Sequence, residues 1–163
     1  MKKKKSKKKK VMFISSVGGH LTQLLELKSL FDNYNYVLVT EKTDVSKKLV
    51  GTYKISFLPY GSRNQKLIYP FVLIWNCIKS LFLMIKYNPN VIVTTGANTA
   101  AAMCCLGKIF RKKVIYIESF AKSNSPTLTG KMIYKLHAYT TFVVQWETML
   151  EFYPKAEYWG GIY

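Results

Sequence analysis

The sequence predicts a Rossmann-like α/β domain built on a single, mainly parallel sheet of about six strands. Two observations carry that expectation. Short apolar runs of strand length alternate down the chain with longer stretches of helical periodicity, which is the pattern of βαβ units. The 163 residues, 49% hydrophobic and 15% aromatic, fit one packed domain and exclude wholesale disorder, collagen-like and coiled-coil compositions.

Taken in order, residues 11–15 read as the first strand, and Gly18-Gly19 leads into a helix whose Leu21, Leu24, Leu25, Leu27 and Leu30 supply an apolar face. Residues 36–40 form a second strand, 44–50 a short helix and 54–58 a third strand. Pro59, Gly61, Ser62 and Arg63 make a loop ahead of a long helix. Asn88-Pro89-Asn90 and Gly96 bound a fourth strand at 91–95, and an Ala-rich helix follows over 97–110. Residues 114–117 are a fifth strand, 128–138 a helix and 141–145 a sixth strand. A short helix over 147–153 precedes a Gly160-Gly161 turn.

The net charge of +17 invites a nucleic-acid reading, but eight lysines sit within the first ten residues and the remainder carries +9. That remainder has two arginines, Arg63 and Arg111, whereas planar recognition of phosphate or guanine favours Arg. Nucleic acid is not an expected partner. A block of like charge does not fold on itself, so residues 1–10 read as a polybasic, disordered tail ahead of a domain at 11–163. The sharper reading of the tail is attraction to anionic lipid, at about 1 kcal/mol per Lys near the surface. Only residues 11–15 separate it from Ser16, Gly18, Gly19 and His20, too short for the roughly 7–15 apolar residues of a secretory signal. Cys77, Cys104 and Cys105 are odd in number, lie in apolar context and form no metal-ligand set. They suggest a reducing cytosol without a disulfide framework, and neither metal nor cofactor is expected.

Residues 67–85 are unusual, because 15 of the 19 are apolar, close to the roughly 20 that span a bilayer. Asn76, Lys79, Ser80 and Lys86 fall at helical spacings and form one polar stripe, while Phe71, Ile74, Trp75, Ile78, Phe82 and Ile85 spread over the rest. A mid-segment charge is costly in hydrocarbon, which argues against spanning. Two readings stay open: a crossover helix packed on the sheet, or a monotopic helix, flanked by Arg63, Lys66, Tyr69 and Trp75, whose apolar surface dips into the lipid interface. One helix with two faces satisfies both.

Three loops follow strands and so share the carboxyl rim of a parallel sheet, where ligands bind. They are 15–20 after the first strand, 94–99 after the fourth and 118–122 after the fifth. The first places glycines at a helix N-terminus, a favourable position for a diphosphate. It lacks the dinucleotide spacing G-x-G-x-x-G, although Glu41 mimics the ribose-binding acid. His20 reads either as a helix-cap histidine or as a catalytic one; Glu118 reads as catalytic, as a cap for the helix from Leu128 or as a partner for a lysine.

Taken together, I-S-S-V-G-G-H-L at 14–21, V-T-T-G-A-N at 93–98, I-Y-I-E-S-F-A-K at 115–122 and Y-W-G-G-I-Y at 158–163 resemble the family of membrane-associated glycosyltransferase subunits for lipid-linked oligosaccharides. That family includes the anchoring partner of the eukaryotic dolichol-linked N-acetylglucosaminyltransferase and bacterial capsule or exopolysaccharide proteins that assist a β-1,4-galactosyltransferase. More distantly, the chain is similar to the N-terminal half of the single-chain GT-B transferase that completes the lipid-linked peptidoglycan precursor, where a G-G-H loop and an H-E-Q-N segment take the places of Gly18 to His20 and Glu118. One departure is plain: the eukaryotic relatives begin with a transmembrane helix, and here a lysine run stands first.

The resemblance implies an acceptor-side, membrane-docking half of a GT-B enzyme, peripheral on the cytoplasmic face of the cell membrane. A separate soluble subunit then supplies the donor site, because a second domain does not follow Tyr163. The implied reaction transfers galactose, or less readily N-acetylglucosamine, from a UDP-sugar to a polyprenyl-diphosphate-linked sugar. By the resemblance, His20 and Glu118 are the catalytic pair, and Ser16, Gly18, Gly19, Thr95, Gly96 and Asn98 hold the acceptor and its diphosphate. Lys66, Phe71, Ile74, Trp75, Ile78 and Phe82 meet the membrane, and Tyr158, Trp159 and Tyr163 meet the partner. The rival expectations are a stand-alone nucleotide-binding enzyme using Glu41 and a non-catalytic recruiter of the partner subunit.

Overall fold

A computed structural model describes residues 8–61 and 67–162. Its strands are β1 (Lys10–Ile14), β2 (Asn35–Glu41), β3 (Ile55–Leu58), β4 (Val91–Thr94), β5 (Lys113–Ile117), β6 (Thr141–Val144) and β7 (Glu157–Tyr158). Its helices are α1 (Gly19–Leu25), α2 (Asp44–Lys47), α3 (Tyr69–Tyr87), α4 (Asn98–Ile109) and α5 (Leu128–Lys135), with 3-10 segments at Glu26–Asn33 and Glu147–Glu151. All seven strands join one sheet in the order β3-β2-β1-β4-β5-β6-β7, and every pairing is parallel.

Period-two alternation sorts the core onto two faces. Met12 and Ile14 of β1 join Val39, Ile92, Val114 and Val144 against α3, α4 and α5. Val11 and Phe13 point the other way, toward Leu21, Leu24 and Phe31. The expected apolar face of the first helix is interrupted, because α1 ends at Leu25 and the chain tightens into a 3-10 segment. That change of winding leaves Leu30 exposed and delivers Phe31 instead, its ring 4.5 Å from Phe13 and 4.7 Å from Tyr36. The 147–153 helix is likewise a shorter 3-10 turn. A seventh, two-residue strand joins the six expected; its run Glu157-Tyr158 is too short to show alternation. Lys10, read with the tail, opens β1, and Lys8 donates a hydrogen bond to the carbonyl of Asp32. Lys2 to Lys5, Lys7, Ser62, Arg63, Lys66 and Tyr163 lie outside the described residues.

Candidate functional site

β1 sits between β2 and β4, so the connections from the first and fourth strands diverge to opposite sides and leave a crevice at their carboxyl ends. Backbone pairing closes the floor of this crevice: Ser16 N–H donates to the Gly96 carbonyl at 3.1 Å. Glu41, at the end of β2, is 8% exposed and ties the two loops together. One carboxylate oxygen accepts the Val17 N–H at 3.1 Å and the other accepts the Thr99 hydroxyl, which itself accepts from Ser16 Oγ at 2.9 Å. Both oxygens are therefore engaged in holding the loops. The sequence marked Glu41 as a ribose-binding mimic; its loop partners lie 24 and 58 residues away and leave no local signal.

His20 stands in the first turn of α1, half-buried, with Nδ1 2.8 Å from the Thr95 carbonyl. A carbonyl oxygen only accepts, so Nδ1 carries the proton and, in the neutral ring, Nε2 bears the lone pair. Thr95 clamps the residue twice, since its hydroxyl donates to the His20 carbonyl at 2.7 Å. Gly96 is required beside it: φ is +90°, a region L side chains rarely enter, and a Cβ there would lie 3.5 Å from the imidazole. Thr95 and Gly96 are buried behind His20. Gly18 and Gly19 are exposed, with no atom within 4 Å of where a Cβ would stand.

A cavity of about 900 Å³ runs from this crevice along the helical layer. Ser16, His20, Asn98 and Lys122 line its polar end, and Val72, Leu73, Ala102 and Leu106 its apolar length. Asn98 Nδ2 donates to the Tyr69 hydroxyl at 2.7 Å, and Thr129 Oγ1 donates to Asn98 Oδ1 at 3.1 Å, so the first turns of α3, α4 and α5 are linked at the mouth.

Glu118 is not among the residues lining that cavity; it is 1% exposed beneath α5. Its carboxylate accepts from Ser119 N–H at 2.8 Å, from Thr127 Oγ1 at 2.9 Å and from Tyr153 Oη at 2.7 Å. Thr127 in turn caps α5 through the Gly130 N–H. Only glycine fits at 130, because a Cβ would meet Glu118 Oε2 at 1.9 Å. Glu118 thus supports the cap of α5 through Thr127. Burial, and next the charge of Glu118, push the Tyr153 and Tyr116 hydroxyls well above their usual range.

α3 is long and apolar enough to cross a membrane, yet it packs one face on the domain. The uncharged half of its polar stripe points inward: Asn76 and Ser80 are buried, and Asn76 Nδ2 donates to the Pro59 carbonyl at 3.1 Å, whereas Lys79 is half-buried and Lys86 exposed. The outward face shows Phe71 at 73% exposure with Ile74, Trp75, Ile78 and Phe82 beside it, each more than half exposed. At the far edge of the sheet, Trp159 N–H donates to the Val144 carbonyl and Ile162 N–H to Gln145 Oε1, which folds the tail back on β6. Tyr158 and Trp159 remain about half exposed, and Tyr153 is buried. On the sheet face opposite α3, a second cavity of about 650 Å³ is bounded by Lys9, Leu30, Val93, Ile115, Trp159 and Ile162.

A seven-stranded parallel domain with its crevice at the β1–β4 switch is half of a GT-B fold. The structure superposes on MurG from Acinetobacter baumannii with a TM-score of 0.68 at 14% identity, covering 86% of this chain and 42% of that one. It superposes on a UDP-N-acetylglucosamine 2-epimerase from Rickettsia bellii with a TM-score of 0.69 at 15% identity, covering 95% and 45%. The chain thus spans less than half the length of these solved structures. Residues 61–162 match the family described as "Oligosaccharide biosynthesis protein Alg14 like", and the chain belongs to that family. Among its relatives, the UDP-N-acetylglucosamine transferase subunit ALG14 of Mus musculus is 27% identical over 94% of this chain and 82% of its own length. The subunit of the same name in Schizosaccharomyces pombe is 28% identical over 97% and 85%.

Proposed function

We propose that this chain is the membrane-docking, acceptor-side subunit of a two-subunit glycosyltransferase, acting from the cytoplasmic face on a polyprenyl-diphosphate-linked sugar. The observation that carries the reading is a histidine with a fixed tautomer at the end of a cavity flanked by the exposed apolar face of α3. In the proposed step, Nε2 of His20 takes the proton of the acceptor hydroxyl as that oxygen attacks the anomeric carbon of the donor sugar. The bond from that carbon to UDP breaks and UDP departs. Gly18 and Gly19 give the diphosphate backbone access, Ser16 and Asn98 hydrogen-bond the acceptor, and Thr95 and Gly96 orient the imidazole. Glu118 acts as a positioning residue through Thr127 and the first turn of α5.

The donor-binding subunit supplies the nucleotide site in this reading, and the exposed Tyr158 and Trp159 beside the second cavity are its docking anchors. Two donor sugars compete. Galactose is what the resemblance to the bacterial exopolysaccharide and capsule proteins implies, and N-acetylglucosamine is what the names of the relatives specify. Co-purification with a donor-binding partner subunit, followed by assay of both UDP-sugars against a polyprenyl-diphosphate sugar, tests the reading. Transfer that needs both chains supports it; transfer by the partner alone at the same rate rejects it.

A further inference from the structure

The cavity has the layout of a trough that is open along one side. α4 forms its floor with the small side chains of Ala101, Ala102 and Cys105, while α3 contributes Leu73 and Cys77 as one wall and α5 contributes Leu128 and Met132 as the other. The upper edges of both walls face outward: Leu128 is 72% exposed, Met132 42% and Leu73 38%. Leu128 and Met132 of α5 and Leu136 at its C-cap repeat at spacing four, flanked by the exposed Lys131 and Lys135, so α5 carries an outward apolar stripe of its own. The trough therefore lies between two apolar helices rather than beside one. Its charge is equally uneven. Among the described residues, Lys122 is the one cation on its lining, and Glu41, the one acid, has both oxygens engaged.

An apolar channel along the outward face, closed at one end by a cation, a histidine and hydroxyl groups, fits a ligand with an anionic head and a hydrocarbon chain. We infer that the trough between α3 and α5 receives the first isoprenyl units of the acceptor lipid, with Lys122 pairing with its diphosphate. This rests on the proposed function and adds to it that the protein, rather than the bilayer alone, holds the start of the chain. Leu73 to Cys77 and Ala101 to Cys105 each extend about 6 Å at 1.5 Å per residue, enough to grip the proximal units only. The distal chain stays in lipid.

Cys77 and Cys105 report directly on occupancy, because both line the trough, while Cys104 is buried and serves as the internal reference. The full chain, in nanodiscs of phosphatidylcholine, is alkylated with N-ethylmaleimide at mildly alkaline pH, since burial raises the Cys105 thiol, and each cysteine is followed by mass spectrometry. Farnesyl diphosphate is expected to slow alkylation of Cys105 about tenfold or more, whereas inorganic pyrophosphate leaves it unchanged. The concentration needed rises about tenfold in Lys122→Ala, the scale of one lost charge-assisted contact, and returns toward wild type in Lys122→Arg. Equal protection by pyrophosphate, or none by farnesyl diphosphate, overturns the inference. Ala102→Trp fills the trough and should raise KM for the polyprenyl acceptor in the two-subunit assay while leaving KM for the UDP-sugar unaltered. If that complex turns over with an unchanged acceptor KM, the trough is empty during reaction: the inference falls and the proposed function stands. If wild-type complex transfers to no polyprenyl acceptor while farnesyl diphosphate still protects Cys105, the lipid site stands and the proposed function falls.

Discussion

At the scale of single residues, the site depends on a backbone carbonyl. Thr95 fixes the His20 tautomer through its main chain, so side-chain substitution at 95 tests the clamp only partly and His20 itself is the informative position. His20→Ala in an assembled complex should lower kcat by about 10² or more, the usual contribution of a positioned acid or base; an assembled complex with wild-type turnover would reduce His20 to a helix-cap residue. Glu118→Gln should behave differently. It puts an amide where an acceptor now meets Ser119 N–H, Thr127 and Tyr153, at a cost of about 1–3 kcal/mol. A lower Tm with kcat largely retained in the folded fraction is expected, and thermal melts beside turnover separate that from a catalytic loss. His20 was legible in the sequence because it follows two glycines after a strand. Glu118 was legible as a notable acid, but its occupation by groups up to 35 residues away was not.

At the scale of elements, α3 departs from the usual rule by burying Asn76 and Ser80 of its polar stripe while exposing a broad apolar face. The helical wheel made the stripe visible, yet it could not say which side faces the protein, because that is decided by the Pro59 carbonyl and by α4. If five outward side chains each regain about 1 kcal/mol at a lipid interface, a conservative share of full apolar burial, α3 contributes about 5 kcal/mol to membrane binding. The lysine run adds about 1 kcal/mol per residue on anionic lipid. Replacing Phe71 and Ile78 by Asp should therefore release the protein from both neutral and anionic vesicles with Tm preserved. Deleting residues 2–7 should weaken binding to anionic vesicles alone, and co-sedimentation that is unchanged with anionic lipid would refute the electrostatic part. The strand-helix alternation was readable nearly throughout. The 3-10 segment after α1 and the two-residue β7 were not, since neither has a periodicity of its own.

At the scale of the whole molecule, the membrane-directed helices and the exposed tail lie on different parts of the domain, and the two functions should separate. Tyr158→Ala with Trp159→Ala keeps the backbone bond to Val144 and should abolish co-purification of the donor subunit while leaving vesicle binding intact. A stoichiometric partner retained by that variant would move the interface elsewhere. The central claim is a division of labour, and photoaffinity labelling of the assembled two-chain complex tests it most directly. A photoreactive polyprenyl diphosphate is predicted to label this chain, on the peptides bearing Ala102 and Leu128, while a photoreactive UDP-sugar labels the partner; the UDP-sugar labelling this chain, with the lipid probe on the partner, would contradict the account.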